Sequence, residues 1–119
     1  MFRSVILAAI FAVSVPTIAS AFERISDRTT FVNTVGGQEL KIAVYGLTLQ
    51  VRPDDTITGR AMGSDITGSW VWDGGYFCRD MDWSGTPIEY NCQLVELDGD
   101  RIRFTVDQGA GQNATLQIR

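Results

Sequence analysis

Asp80 and Asp82 stand two residues apart, Glu89 follows, and all three fall between Cys78 and Cys92, the only cysteines of the chain. Side chains at i and i+2 of an extended segment point the same way, so Asp80 and Asp82 share a face. Carboxylates placed like this can exchange protons at a glycosidic bond or hold calcium. The D-x-[DN]-x-[DN]-G run of a calcium loop is missing, so no metal site is read here. A hydrolase would use two of Asp80, Asp82 and Glu89, while solvated loop acids are the simpler account and the preferred one. The same segment carries Trp83 and Tyr90. Flat, rigid aromatics with a polar edge suit a glycan or protein surface. Trp83, between Asp82 and Ser84-Gly85, is expected to be partly exposed, whereas Trp70 and Trp72, which share a strand face with Ile66, are expected in the core. The candidate binding residues are therefore Asp80, Asp82, Trp83 and Tyr90.

Most other chemistries lack their residues. The chain has no histidine, which removes the usual base of serine and cysteine catalysis and the commonest transition-metal ligand. A serine nucleophile would need a lysine base, and Lys41, the only lysine, lies in an alternating stretch where a solvated role is natural. Gly109-Ala110-Gly111 precedes a short strand rather than a helix, and no G-x-G-x-x-G occurs, so no nucleotide cofactor is implied. No catalytic residue is assigned.

Compartment follows from the N-terminus. Arg3, the apolar run Val5 to Val15 and Ala19-Ser20-Ala21 have the form of a secretory signal peptide cleaved after Ala21. The run is interrupted by Ser14 and Pro16 and falls short of the about 20 apolar residues that span a bilayer. The expected product, residues 22–119, is a single periplasmic or secreted domain with no membrane segment. In an oxidising compartment Cys78 and Cys92 form one disulfide. Its 15-residue ring contributes roughly 3 kcal/mol by chain-entropy accounting. Residues 22–119 keep nine basic side chains against fourteen acidic, a net charge of −5. That balance opposes binding to nucleic acid and to anionic lipid.

The elements that must position these residues are almost all strands. One short helix is expected first, capped by Ser26 or Asp27, burying Phe31, Val32 and Val35, and ended by Gly36-Gly37. Two-residue periodicity then runs through Leu40–Val44, Leu47–Val51 and Ile57–Ala61, with a turn at Pro53-Asp54-Asp55. Ile66, Trp70 and Trp72 lead through Asp73-Gly74-Gly75 into Tyr76–Arg79. Gln93–Leu97 and Arg101–Val106 flank Asp98-Gly99-Asp100 as a hairpin in which Glu96 is placed to pair with Arg101. A last strand surrounds Leu116 and Ile118. Residues 79–91, without a clear period, are expected to form a surface loop closed by the disulfide, and such loops often carry binding. About eight short strands without alternating helices predict an all-β fold, a small antiparallel barrel or sandwich with one N-terminal helix.

The run Gly68-Ser69-Trp70-Val71-Trp72-Asp73-Gly74-Gly75-Tyr76-Phe77-Cys78-Arg79, with Asn91-Cys92-Gln93, Arg103-Phe104-Thr105 and Asp107-Gln108-Gly109, resembles a group of small exported bacterial proteins. Members of that group often carry the name dihydrodipicolinate reductase. An enzyme with that activity brings a dinucleotide-binding fold, a glycine fingerprint, and histidine and lysines in its active site. This chain departs from every one of those features, so the resemblance transfers no catalytic residue and no cofactor. The expectation that remains is an exported, non-enzymatic binding or envelope protein whose partner is an envelope protein or a glycan.

Overall fold

A computed structural model describes residues 21–119. The signal-peptide reading of residues 1–21 falls, Ala21 apart, outside the described residues. The chain order is β1 (Glu23–Arg24), α1 (Arg28–Val35), β2 (Leu40–Ile42), β3 (Leu47–Val51), β4 (Thr56–Ala61), β5 (Ser64–Asp73), β6 (Tyr76–Trp83), β7 (Thr86–Asp98), β8 (Arg101–Thr105) and β9 (Asn113–Ile118).

From β2 to β9 each strand pairs antiparallel with the next, and β9 returns to β2 through Leu40↔Ile118 and Lys41↔Gln117. The result is a closed eight-stranded up-and-down barrel, an arrangement that removes free sheet edges. Closure decides the barrel over the sandwich. The short β1 adds to the edge of β7 through Glu23↔Leu97 and Arg24↔Glu96. Turns therefore alternate between two ends. Those at Pro53–Asp55, Gly74-Gly75 and Gly99-Asp100 lie at one end, and those at Ala43–Gly46, Met62-Gly63, Ser84-Gly85 and Asp107–Gln112 lie at the other.

The helix closes the first end. Asp27 caps it by accepting the Thr30 N–H at 2.9 Å. Arg28 ties it to the β3–β4 turn by donating to the Pro53 carbonyl at 3.0 Å and to Asp55 Oδ1 at 2.8 Å. The Trp72 indole N–H donates to the Ser26 carbonyl at 3.3 Å. Inside the barrel Phe31, fully buried, packs against Trp70, Trp72, Phe77 and Phe104 with ring centroids 5.4, 5.0, 5.1 and 6.4 Å away. Val35, Leu40, Val51, Ile57, Val95, Ile102 and Leu116 complete this packed half. Trp70 is buried as expected, its indole N–H satisfied by the Arg52 carbonyl at 2.8 Å.

Three local readings are corrected. β2 stops at Ile42, and Ala43–Tyr45 form a 3-10 turn closed by the left-handed Gly46, so Val44 points outward instead of continuing the alternation. Residues 79–91 are not a loop. They are the ends of β6 and β7 around the tight turn at Ser84-Gly85, and Cys78 and Cys92 are directly paired across the two strands. The periodicity is lost because β7 carries a bulge: Arg79 pairs with Asn91 and Met81 with Ile88, leaving Glu89 and Tyr90 opposite Asp80. Lastly, Glu96 pairs with Arg103 at 3.0 Å, while Arg101 pairs with Asp98. The two-residue turn places Asp98 opposite Arg101 and so sets Glu96 opposite Arg103.

Candidate functional site

Registers place Phe77, Arg79, Met81 and Trp83 of β6 on the inward face, opposite Trp72, Trp70, Gly68 and Ile66 of β5. Above the packed half, side chains no longer meet across the barrel. Leu49 lies opposite Gly59, and Met81 opposite Gly68, so two inward positions carry no side chain. A Cβ at Gly59 would strike the Thr48 carbonyl and Leu49, and one at Gly68 the Asp80 carbonyl and Met81. These glycines let the strands coil tightly while leaving the interior open at that level.

The outcome is a lumen cavity of about 310 Å³ that opens at the end away from α1. Small-molecule sites begin at about this size. Its floor is the core: Phe77, Phe104, Ile57 and Leu116. One wall is Leu47, Leu49 and Val51 of β3, and Met81 faces the same space. Val106, Gln112, Asn113 and Ala114 form the rim on the β8–β9 side. Near the same end Val44, Tyr45 and Met62 are exposed large apolar side chains, with the Met62 N–H donating to the Tyr45 carbonyl at 3.2 Å.

Two polar side chains enter this apolar space, Arg79 and Gln93, 9% and 7% exposed. They are diagonal neighbours on adjacent strands, since Gln93 pairs with Phe77 and Arg79 with Asn91. Arg79 Nη1 donates to the Glu89 carbonyl at 2.6 Å, a contact created by the β7 bulge. Among the described residues Arg79 belongs to no ion pair. No deeply buried side-chain nitrogen or oxygen there lacks a hydrogen-bond partner. The Nε and Nη2 groups of Arg79 and the amide of Gln93 make no hydrogen bond to a described residue and are not fully enclosed, and both side chains line the lumen. Burial pulls the Arg79 guanidinium below its ordinary value, opposed by the charge of Asp80. A guanidinium starts so high that it stays charged at neutral pH. The lumen thus holds one positive charge with unused donors in an apolar wall.

The residues singled out from sequence lie elsewhere. Asp80, Asp82, Glu89 and Tyr90 come together along a shallow groove on the outside of β6 and β7. Asp80 Oδ1 accepts from the Ser69 hydroxyl at 2.8 Å, and Asp82 Oδ2 accepts the Gly85 N–H at 2.8 Å. Tyr90 is exposed, its hydroxyl 3.6 Å from Cys92 Sγ. Trp83 is not part of that groove. It is half-buried on the opposite face of β6, and its indole N–H donates to the Ala61 carbonyl at 3.1 Å. Among the described residues no three histidine, cysteine or acidic side chains are placed to hold a metal ion.

Arg79 and Gln93 are absent from the candidates that the sequence suggests, although a signal for Arg79 exists. Phe77-Cys78-Arg79-Asp80-Met81 alternates as a strand, and it sets a charged residue on the face of Phe77 and Met81. Compared with protein-family models, with curated proteins and with solved structures, the chain finds no match, so its function is read from the chemistry of the site itself.

Proposed function

We propose that this protein is an exported, non-enzymatic binding protein that encloses a small, largely apolar molecule in the open half of its barrel. The observation that carries this reading is the cavity of about 310 Å³, whose interior is apolar around the buried Arg79 and Gln93 and whose rim carries Gln112 and Asn113. Eight-stranded barrels have an interior just wide enough either to be filled by side chains or to hold one small ligand. Here α1 and the core aromatics fill one half only. Export is supported by the residue pattern of Met1–Ala21 and by the Cys78–Cys92 disulfide, which is typical of small secreted domains. Asp80 and Asp82 are engaged with Ser69 and the Ser84-Gly85 turn, and nothing in their geometry favours hydrolysis. The exposed Tyr90 beside them supports a second, separate reading, an outer contact with a glycan or an envelope protein.

Titration of the oxidised protein with decan-1-ol, followed by amide NMR, tests the lumen. The expected shifts fall on Leu49, Met81 and Leu116, and the variant Leu49→Trp, which fills the cavity, removes them. Shifts confined to the outer face around Asp80 and Tyr90, or none at all, would overturn the reading.

A further inference from the structure

We infer that the lumen selects an aliphatic monocarboxylate of about ten carbons, its carboxylate held by Arg79 and Gln93 and its chain laid against Leu47, Leu49 and Val51. This rests on the lumen-binding reading above and adds the chemistry of the ligand. An arginine buried in an apolar wall is costly unless its charge finds a partner. Arg79 has one carbonyl contact, no carboxylate partner among the described residues, and donors left facing the cavity. Guanidinium donors in a planar fork match the two oxygens of a carboxylate. The Gln93 amide, one strand over and also without a partner among the described residues, supplies a further donor.

The remainder of the cavity fixes the rest of the molecule. In the closed ring β7 lies across from β3, so the polar pair faces the apolar wall of Leu47, Leu49 and Val51. A head group at Arg79 thus leaves apolar surface for the tail up to the rim at Gln112 and Asn113. A volume of about 310 Å³ is at the small end for ligand sites, which suits a single aliphatic chain of about ten carbons. The net acidity of residues 22–119 does not oppose this, because the one charge the ligand meets at close range is Arg79.

Calorimetric titration of the oxidised protein with decanoate and decan-1-ol at neutral pH tests the inference. Decanoate is expected to bind about tenfold to a hundredfold more tightly than decan-1-ol, the range of a charge-assisted hydrogen bond. Arg79→Met, close in volume and suited to the apolar wall, is expected to lose the preference for decanoate over decan-1-ol. Equal binding of acid and alcohol by the parent protein overturns the carboxylate assignment and leaves lumen binding standing. That comparison needs no variant. If neither compound binds, the lumen-binding reading fails with it.

Discussion

At the end closed by α1, Phe31 has no exposed surface and is ringed by four aromatic side chains. At the opposite end Leu47, Leu49 and Met81 point into the same barrel and remain half-buried around a cavity. Both ends are made by the same strands with the same inward alternation. The difference lies in what enters from outside the sheet, a helix at one end and nothing from the described residues at the other. Gly59 and Gly68 widen the contrast by leaving inward positions bare beside Leu49 and Met81. A barrel of this size does not need its whole interior for stability, and the half it leaves unfilled is where a polar pair appears. The packed core sits at the helix end, and the open end is where binding is proposed.

Truncation should expose that division most sharply. Phe31→Ala removes the centre of the plug and is expected to cost about 3–5 kcal/mol. Leu49→Ala, at a position already lined by open space, is expected to cost about 1 kcal/mol, because little apolar surface is newly exposed. Urea denaturation of both variants measures the gap. Equal losses would mean that the open half is as tightly packed as the plugged half and that the comparison is false.

Loss of the disulfide should have the next largest effect, and the bond lies where the two halves meet, between Phe77 of the core and Arg79 of the lumen. Cys78 and Cys92 are paired immediately beside Arg79 and Asn91, one step before the bulge that aims the Glu89 carbonyl at Arg79. Removing the bond, as Cys78→Ala with Cys92→Ala, is expected to cost about 3 kcal/mol for a ring of this length. The added expectation concerns place: amide exchange should rise along Tyr76–Trp83 and Thr86–Gln93 well before it rises in α1. Uniform acceleration over the whole barrel would show that the bond constrains only the unfolded chain and not the wall bearing Arg79.

How much of the molecule is legible in its sequence depends on how local each signal is. Asp27, Phe31 and Val35 announce the helix at four-residue spacing over about two turns, and Leu47-Thr48-Leu49-Gln50-Val51 announces β3 by clean alternation. Hairpin β7–β8 is legible in outline, but its register is not, because turn length decides whether Glu96 meets Arg101 or Arg103. The hairpin around Ser84-Gly85 reads as a loop for a physical reason. Its outward face carries Asp80 and Asp82, its inward face carries Arg79, and the bulge at Glu89 and Tyr90 breaks the period. The lumen is hidden for a different reason. It is assembled from side chains on many strands, and its key residue is a charge standing where a strand pattern calls for an apolar group. That exception to the pattern, more than the cluster of acids and aromatics, marks the site.

The smallest expected effect concerns the cap that holds the plug. The Asp27 carboxyl lies below its ordinary value of 3.8, first because it accepts the Thr30 N–H and then because it accepts the Thr30 hydroxyl. A carboxyl with a depressed folded value binds fewer protons folded than unfolded. Its contribution is therefore complete above pH 3.8 and is lost as pH falls through the folded value. Asparagine caps a helix about as well as aspartate and does not titrate. Asp27→Asn should thus match the parent near neutral pH and lose less stability on acidification below pH 3.8. Glu39 and Asp54 are also lowered, by Lys41 and by Thr56, but they are present in both proteins, so the difference between the two urea series isolates Asp27. Parallel losses in acid would mean that the ionised form of Asp27 adds nothing to the cap, leaving the seating of α1 to Phe31, Val35 and the Arg28 contacts alone.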